Sequence, residues 1–365
     1  MFGDRLRLAR KRAGLSLRGL ADRINGLVSA QALSKYEAGQ MHPSSSVLVA
    51  LGKELGVSLD FLMSSQVEEL AGVEFRAHSG TSAGERARAE AAVIDQVERF
   101  LSIDDILGLD SEKNELPAPV ENVASFEQVE ELAVDLRRKW NLGHDPIPSM
   151  VGLLEDKGVK VIGVDIPPKV SGLTGAVKRS GNQPDVPVIV VSRGYNIERR
   201  RFTLAHELGH CVIKSTVRDL PHERAMNRFA AAFLIPASHL LNELEGASDT
   251  VPPYRELVRL KHTYGVAAST MIMRLKDVGV LSDATVAYVF QTYGRTWRTA
   301  EPEPIDGKGL FAHAELPMRF ERLVYWALAD RLISSPRAAE LLQRTVPDVE
   351  LAVRGPAVGD AHHYQ

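Results

Sequence analysis

The segment FTLAHELGHCVI, residues 202–213, places two histidines four positions apart, with a glutamate directly after the first. On a helix, side chains four positions apart share one face, so His206 and His210 can reach a single metal ion. Glu207 lies where a carboxylate can take a proton from a metal-held water. Gly209, which is unfavourable at mid-helix, indicates that another segment approaches closely. H-E-x-x-H also occurs in ordinary amphipathic helices, so a third ligand must decide between a metal centre and a plain helix.

That third ligand is expected from the next predicted helix, PHERAMNRFAAAFLIP, residues 221–236. Catalytic zinc typically has three protein ligands and one open position for water. Glu223 lies near the start of this helix, and two adjacent helices can present it to the same point as the histidines. On the residues alone, His222 and Asp219 are alternative third ligands.

The two segments together resemble the ImmA/IrrE family of metallopeptidases. Its members share H-E-x-x-H on one helix and E-x-x-A-N-x-F-A-A-x-L-L-M-P on the next, which RFTLAHELGH and ERAMNRFAAAFLIP match closely. Met226 replaces the alanine before the asparagine, and FLIP replaces LLMP; both changes are apolar and spare the ligands. The resemblance implies a gluzincin-like fold with zinc as cofactor and Glu207 as general base. The implied zinc ligands are His206, His210 and Glu223.

A second group of polar residues lies on a short predicted helix near the start of the chain, VSAQALSKYEAG, residues 28–39. A helix-turn-helix places its second helix in the major groove of DNA, where such side chains read base edges. Residues 1–24 carry seven arginines and lysines against two aspartates, which favours a phosphate-facing surface. A plain helical bundle with a solvated polar face is the alternative. The candidate DNA-contacting residues are Arg18, Ser29, Gln31, Ala32, Ser34 and Lys35.

Residues 3–63 as a whole resemble the XRE/Cro/cI type of helix-turn-helix. The resemblance rests on RLRLARKRAGLSLRGLADRI followed by VSAQALSKYEAGQMHPSSSVLVALGKELGVSLDFLM. The chain departs from the pattern at Leu17, where many members carry a glutamine that touches phosphate. The turn NGLV is also about two residues longer than usual. The resemblance implies a five-helix, lambda-repressor-like domain that binds a double-stranded operator, and the geometry of palindromic sites predicts a homodimer.

Length and composition predict a multidomain, mainly α-helical protein with no membrane partner. A chain of 365 residues is expected to form two or three domains. No apolar run approaches the roughly 20 residues of a transmembrane helix, and no signal peptide is apparent. The single cysteine, Cys211, excludes an intramolecular disulfide framework and favours a reducing cytoplasm. Because Cys211 points about 100° away from His210 on the helix, we expect a small buried core residue there.

Apolar and turn patterns divide the chain into four predicted regions, and the two resemblances imply what the first and third of them are. Residues 159–166 and 186–192 are β-branched runs typical of strands, so the third region is expected to be α+β with a small sheet. The three tryptophans, Trp140, Trp297 and Trp326, are expected to be core anchors, and His313 and the terminal AHHYQ to be solvated. The predicted regions are 1–66, a helix-turn-helix domain; 67–125, a helical connector; 126–245, a gluzincin-like metallopeptidase domain; and 246–365, a helical region for sensing or partner binding.

Fusions of this helix-turn-helix to an ImmA/IrrE domain form a recognisable bacterial group, and the resemblance covers nearly the whole chain. It implies a DNA-binding transcriptional regulator with a zinc metallopeptidase domain, in stress response or mobile-element control, with a protein substrate such as a repressor. The alternative is a transcriptional repressor or antitoxin, with a toxin as partner, whose peptidase fold is a non-catalytic sensor or binding module. That alternative predicts operator binding without proteolysis, even when zinc is supplied.

Overall fold

The computed structural model describes residues 2–57, 59–63, 67–71, 83–109, 114–164, 172–179, 184–244, 250–297, 299–305 and 315–354. These residues form seventeen α-helices, one short 3-10 helix and four β-strands, which confirms the predicted mainly helical fold with a small sheet. Among them, no helix is both long and apolar enough to cross a membrane. The chain divides into two compact units: Met1–Lys113 with Gly175–Pro187 and Met318–Gln365, and Asn114–Thr174 with Val188–Pro317.

The first unit begins with five short helices around an apolar core, as predicted. Ser29 caps the third helix, because its hydroxyl accepts a hydrogen bond from the amide of Ala32 at 3.1 Å. In the long turn before it, Asn25 and Gly26 both have positive φ angles, 54° and 67°, which these two residue types tolerate best. The helices are α1 (Phe2–Arg12), α2 (Leu17–Arg23), α3 (Ala30–Glu37), α4 (Ser45–Leu55) and α5 (Leu59–Met63).

A connector helix and three helices from the end of the chain complete the first unit. Phe100 and Ile103 of the connector helix share a buried cluster with Phe320 and Val324. The C-terminal helices therefore pack on the connector helix. These elements are α6 (Ala83–Leu107), α15 (Arg319–Ala329), α16 (Ser335–Leu342) and α17 (Val346–Arg354).

The exposure of Trp326 on α15 shows that one of the three core predictions for tryptophan was wrong. Trp140 and Trp297 are buried, whereas 65% of Trp326 is exposed. Leu323 and Ala327, four positions apart, are buried. Trp326 lies about 100° around the helix from Ala327 and therefore points away from that buried stripe.

Ion pairs join α1 to α6 within the first unit. Arg5 pairs with Glu98, and both side chains are almost completely buried. Arg12 Nη1 lies 2.8 Å from Asp95 Oδ1. Burial raises the pKa of Glu98 to about 7, although the charge of Arg5 opposes the shift. The five-helix module is thus held on the connector helix by charged contacts.

Between about pH 4.5 and 7, we expect the wild type to lose stability relative to a Glu98→Gln variant. A carboxyl group whose pKa is higher in the folded chain adds stability at low pH, and this contribution is lost as the pH rises through the folded pKa. Glutamine has the shape of the neutral acid but does not titrate. The free energy of unfolding of both proteins, measured in urea across this range, checks the prediction. A difference between the two proteins that stays constant with pH would contradict it.

The second unit contains eight α-helices and one 3-10 helix among its described residues. Its helices pack around one large apolar core that includes Trp140, Leu208 and Phe229. The helices are α7 (Phe126–Lys139), α8 (Met150–Asp156), α9 (Ile197–Val212), α10 (His222–Leu234), α11 (Ala237–Glu243), α12 (Tyr254–Tyr264), α13 (Ala268–Asp277) and α14 (Asp283–Gln291), followed by the 3-10 helix Tyr293–Thr296.

The sheet has four strands in the order β1-β3-β4-β2. The strands are β1 (Val67–Ala71), β2 (Lys160–Val164), β3 (Gly172–Arg179) and β4 (Val186–Ser192). β2 and β4, both predicted, pair in parallel, and β1 pairs with β3 antiparallel. The sequence did not predict β3, because its segment GLTGAVKR contains two glycines and two basic residues instead of a β-branched run.

Helices α9 and α10 pack closely in the second unit because α9 has a glycine, Gly209, where the two helices touch. A Cβ atom on Gly209 would lie 3.2 Å from Met226 Sδ and 3.2 Å from Phe229 Cδ1. This is the close approach that the mid-helix glycine indicated. It brings the start of α10 beside the histidines of α9.

Candidate metal centre

Three side chains with metal-binding atoms meet where α9 lies against the first turn of α10. One potential ligand atom from each of His206, His210 and Glu223 lies within 4.8 Å of the other two. His206 Nε2 is 3.3 Å from Glu223 Oε2, and His210 Nε2 is 3.8 Å from Glu223 Oε1. The two imidazoles are half-buried, whereas 58% of the Glu223 side chain is exposed. The group therefore faces solvent on one side.

The donor types and spacings of this group fit zinc. Nitrogen and oxygen ligands bind zinc at about 2.0–2.2 Å, so two ligands of a tetrahedral site lie roughly 3.3–3.6 Å apart. The measured 3.3 and 3.8 Å separations are close to that spacing. Two imidazoles with one glutamate also make a donor set that catalytic zinc sites use. Such a site keeps a further position for water.

Asn227 of α10 orients the first histidine. Its Oδ1 lies 3.0 Å from Nδ1 of His206, so that nitrogen carries the proton and donates it to the amide oxygen. In the neutral ring, this tautomer leaves Nε2 without a proton, on the side of Glu223, as metal binding requires. Partners of this kind fix the tautomer and ring orientation of metal-binding histidines. Asn227 lies four residues after Glu223, a helical spacing that could have revealed its role in the sequence.

Glu207 lies on the same helix between the two histidines, and only 7% of it is exposed. Thr174 of β3 donates a hydrogen bond to its carboxylate, with 2.8 Å between Oγ1 and Oε2. Nothing local in the sequence pointed to Thr174, which lies 33 residues earlier on the strand that was not predicted. The candidate general base therefore receives a hydrogen bond from β3, an element other than its own helix.

Two further residues near the group are placed differently from the ligands. The ring of His222 lies 5.3 Å from that of His210, centroid to centroid, and Asp219 is exposed in the loop before α10.

Cys211 packs against the core of the unit. Burial, reinforced by the charge of Glu207, raises the pKa of its thiol to about 12. His313 and residues 361–365 lie outside the described part of the chain.

Five of the six candidate DNA-contacting residues of the five-helix module are exposed. Leu33 and Tyr36 of α3 are buried in the module core, and Ala32 is half-buried. The exposed candidates are Arg18 on α2, Ser29 at the N-cap of α3, and Gln31, Ser34 and Lys35 on α3. The structure thus places these polar side chains towards solvent, as a groove-reading surface requires.

Part of the positive charge near the start of the chain has a structural role instead. Arg10 holds the carboxylate of Glu37 in a two-pronged contact at 2.6 and 2.8 Å, which fixes α3 to α1. Arg5 and Arg12 pair with acidic residues of α6. The net charge of residues 1–24 therefore overstates how many of their basic side chains are available to contact phosphate.

Two family models match separate parts of the chain. Residues 6–62 match the model described as helix-turn-helix, and residues 154–276 match the model described as IrrE N-terminal-like domain. The SPbeta prophage-derived uncharacterized HTH-type transcriptional regulator YonR of Bacillus subtilis (strain 168) is 40% identical over 63 residues. That match covers 17% of this chain and 56% of the relative, so the chain spans about half of the relative's length. The chain therefore carries a helix-turn-helix DNA-binding domain followed by an IrrE N-terminal-like domain.

Proposed function

We propose that this chain is a DNA-binding transcriptional regulator with a zinc-dependent metallopeptidase site, acting in stress response or mobile-element control. The observation that carries the proposal is the grouping of His206, His210 and Glu223 within 4.8 Å, beside the buried carboxylate of Glu207. The helix-turn-helix domain in the same chain supports a regulatory role, with a repressor-type protein as substrate. A gene regulator that also hydrolyses peptide bonds can remove a repressor irreversibly.

The residues of the site divide the chemistry between them. His206, His210 and Glu223 would hold zinc, which when bound supplies a Lewis acid that polarises a carbonyl and lowers the pKa of water. Glu207 accepts a proton from the attacking water and donates it to the leaving amine. The exposure of the Glu223 side chain places the group at the surface, within reach of a peptide from solvent.

Elemental mass spectrometry of the full chain tests the zinc part of the proposal. We expect about one zinc per chain in the wild type and none in His206→Ala or Glu223→Ala, because two remaining ligands bind weakly. Asn227→Ala should bind zinc about 10- to 100-fold more weakly, since it orients a ligand without being one.

His262→Ala is the matched control for this measurement. His262 is exposed on α12 and its Nε2 contacts the carbonyl oxygen of Glu303 at 2.8 Å. We expect the variant to keep its zinc. A wild type without zinc, even after zinc is supplied, would remove the peptidase function and favour the non-catalytic sensor or antitoxin. Zinc retained by both ligand variants would place the ion elsewhere.

For DNA, we propose that Ser29, Gln31, Ser34 and Lys35 read base edges, that Ala32 permits close approach, and that Arg18 contacts phosphate. Two copies of the chain would bind the two half-sites of a palindromic operator. The exposure of the polar side chains and the packing of Leu33 and Tyr36 into the core support this assignment. These six contacts involve no residue of the Arg10–Glu37 pair.

The DNA contacts are tested by binding measurements on a duplex that the full chain has selected from a random-sequence library. Gln31→Ala is expected to cost about 1–3 kcal/mol and to relax the preference at one base pair. Arg18→Ala should weaken all duplexes alike and reduce the salt dependence of binding by about one phosphate contact.

Arg138→Ala is the control for the loss of one positive charge, because Arg138 is an exposed arginine of the second unit. Affinity and base preference that match the wild type in both Gln31→Ala and Arg18→Ala would contradict the assigned surface.

A further inference from the structure

Strand β3 packs against α9, the helix that carries the two histidines of the candidate metal centre. Two residues on one face of the strand make this contact. Gly172 and Thr174 are two positions apart and therefore share a face of the strand. Thr203 and Glu207 are four positions apart and share a face of the helix. A Cβ on Gly172 would lie 2.4 Å from Thr203 Cγ2 and 3.2 Å from Glu207 Cγ. Only glycine allows this approach without displacement of the strand or the helix.

The close approach brings the Thr174 hydroxyl onto Glu207. Oγ1 lies 2.8 Å from the carboxylate oxygen Oε2 and 3.0 Å from the backbone carbonyl oxygen of the same residue. The single hydroxyl proton therefore faces two acceptors of Glu207, and Thr174 also hydrogen-bonds the side chain of Cys211. A hydrogen bond to an ionised carboxylate is stronger than a neutral one. The β-branched threonine side chain is also restricted at χ1, so it provides a stiff donor.

The position of this contact matters because Glu207 is almost completely buried. A buried carboxylate requires hydrogen-bond partners, and the partner decides how the planar group is turned. Thr174 comes from a strand, whereas His206 and His210 share the helix of Glu207. The carboxylate is thus oriented relative to the histidines by a separate element of the fold.

We propose that Thr174 is a positioning residue that orients Glu207 towards the three-ligand group. This inference rests on the proposed function, because it assigns Thr174 a part in the same reaction. Thr174 itself takes no proton in the reaction and touches no substrate. Proton transfer requires the base to be held within hydrogen-bond reach of the attacking water, so loss of the donor should lower kcat more than it changes KM.

The first measurement concerns folding and needs neither zinc nor turnover. Thr174→Val keeps the shape of the side chain and removes the hydroxyl. In zinc-free protein, we expect Thr174→Val to lower the unfolding midpoint of the chain that retains Glu207. The same substitution should lower the midpoint less in a Glu207→Ala background. Thr263→Val is the matched control, since the Thr263 hydroxyl donates to the backbone carbonyl of Arg259 in an exposed contact of α12. Its effect should be the same in both backgrounds.

The second measurement uses zinc-loaded full chain and a mixture-based fluorogenic peptide library. We expect Thr174→Val to lower kcat about 10- to 100-fold with little change in KM, and Thr174→Ser, which restores the hydroxyl, to recover most of the loss. Wild-type hydrolysis with an unchanged kcat in Thr174→Val would overturn the inference alone, as would equal losses in the valine and serine variants. A zinc-loaded wild type that hydrolyses nothing would overturn the proposed function, and the role of Thr174 with it.

Discussion

Replacement of Arg201 by methionine is expected to lower the free energy of unfolding of the second unit by roughly 3–5 kcal/mol. Arg201 on α9 and Glu315 form an ion pair in which both side chains are completely buried. Removal of the arginine leaves the carboxylate buried without its counter-charge, which costs more than the pair contributes while intact. The loss should act on the helix that carries the candidate metal ligands.

The surroundings of this pair explain the size of the expected effect. Arg201 Nη2 donates to the carbonyl oxygens of Ile147 at 2.8 Å and Tyr264 at 3.2 Å. Glu315 accepts from the amides of Met150 and Val151 at 2.9 and 3.0 Å. Burial lowers the pKa of Arg201 and raises that of Glu315. One substitution therefore removes the counter-charge of Glu315 together with a donor to the carbonyl oxygens of two buried residues.

Urea unfolding followed by the fluorescence of the buried tryptophans of this unit, in a Trp326→Phe background, measures the loss. Arg138→Met is the control, because its exposed ion pair with Asp135 should contribute at most about 1 kcal/mol. A double variant, Arg201→Met with Glu315→Leu, should recover most of the stability, since it removes both charges. Equal stability of Arg201→Met and Arg138→Met would contradict the expected role of the pair.

Local patterns in the sequence predicted the helices that carry the candidate metal ligands, whereas the choice of Glu223 as the third ligand came from the family resemblance. The spacing of His206 and His210 places them on one helical face wherever the helix lies in the protein. Ser29 caps α3 because the first turn of a helix needs a nearby acceptor for its amides. Gly209 indicated a close approach that the structure shows to be with α10. The shared face of the histidines and the Ser29 cap depend on neighbours within about one helical turn, whereas the sequence did not name the partner of Gly209.

Contacts between distant segments could not be predicted from the same patterns. The donor to Glu207 comes from β3, a strand whose glycines conceal it, and the partner of Arg201 lies 114 residues later. The basic residues near the start of the chain looked like a DNA surface, but Arg5 is paired within the protein. Charge and polarity in a sequence do not reveal the partner, because ion pairs have no fixed spacing along the chain.

The largest expected effect on chemistry is that of Glu207→Gln, which should lower peptide hydrolysis by about 10²- to 10⁴-fold. Glutamine has nearly the same shape, and its amide oxygen can accept the hydrogen bond from Thr174. It cannot accept a proton from water at neutral pH, so the substitution removes the base and retains the contact. We therefore expect the variant to fold normally and to bind as much zinc as the wild type.

Initial rates on the fluorogenic peptide library, with zinc content measured on the same samples, check this prediction. Equal zinc with a large fall in rate assigns the base to Glu207, whereas a fall in both would indicate damage to the metal centre. Equal rates would exclude Glu207 as the base. If wild type and variant both hold zinc and neither hydrolyses peptide, the site binds metal without turnover. The domain would then act on the DNA-binding module as a sensor or as a docking site for a partner such as a toxin.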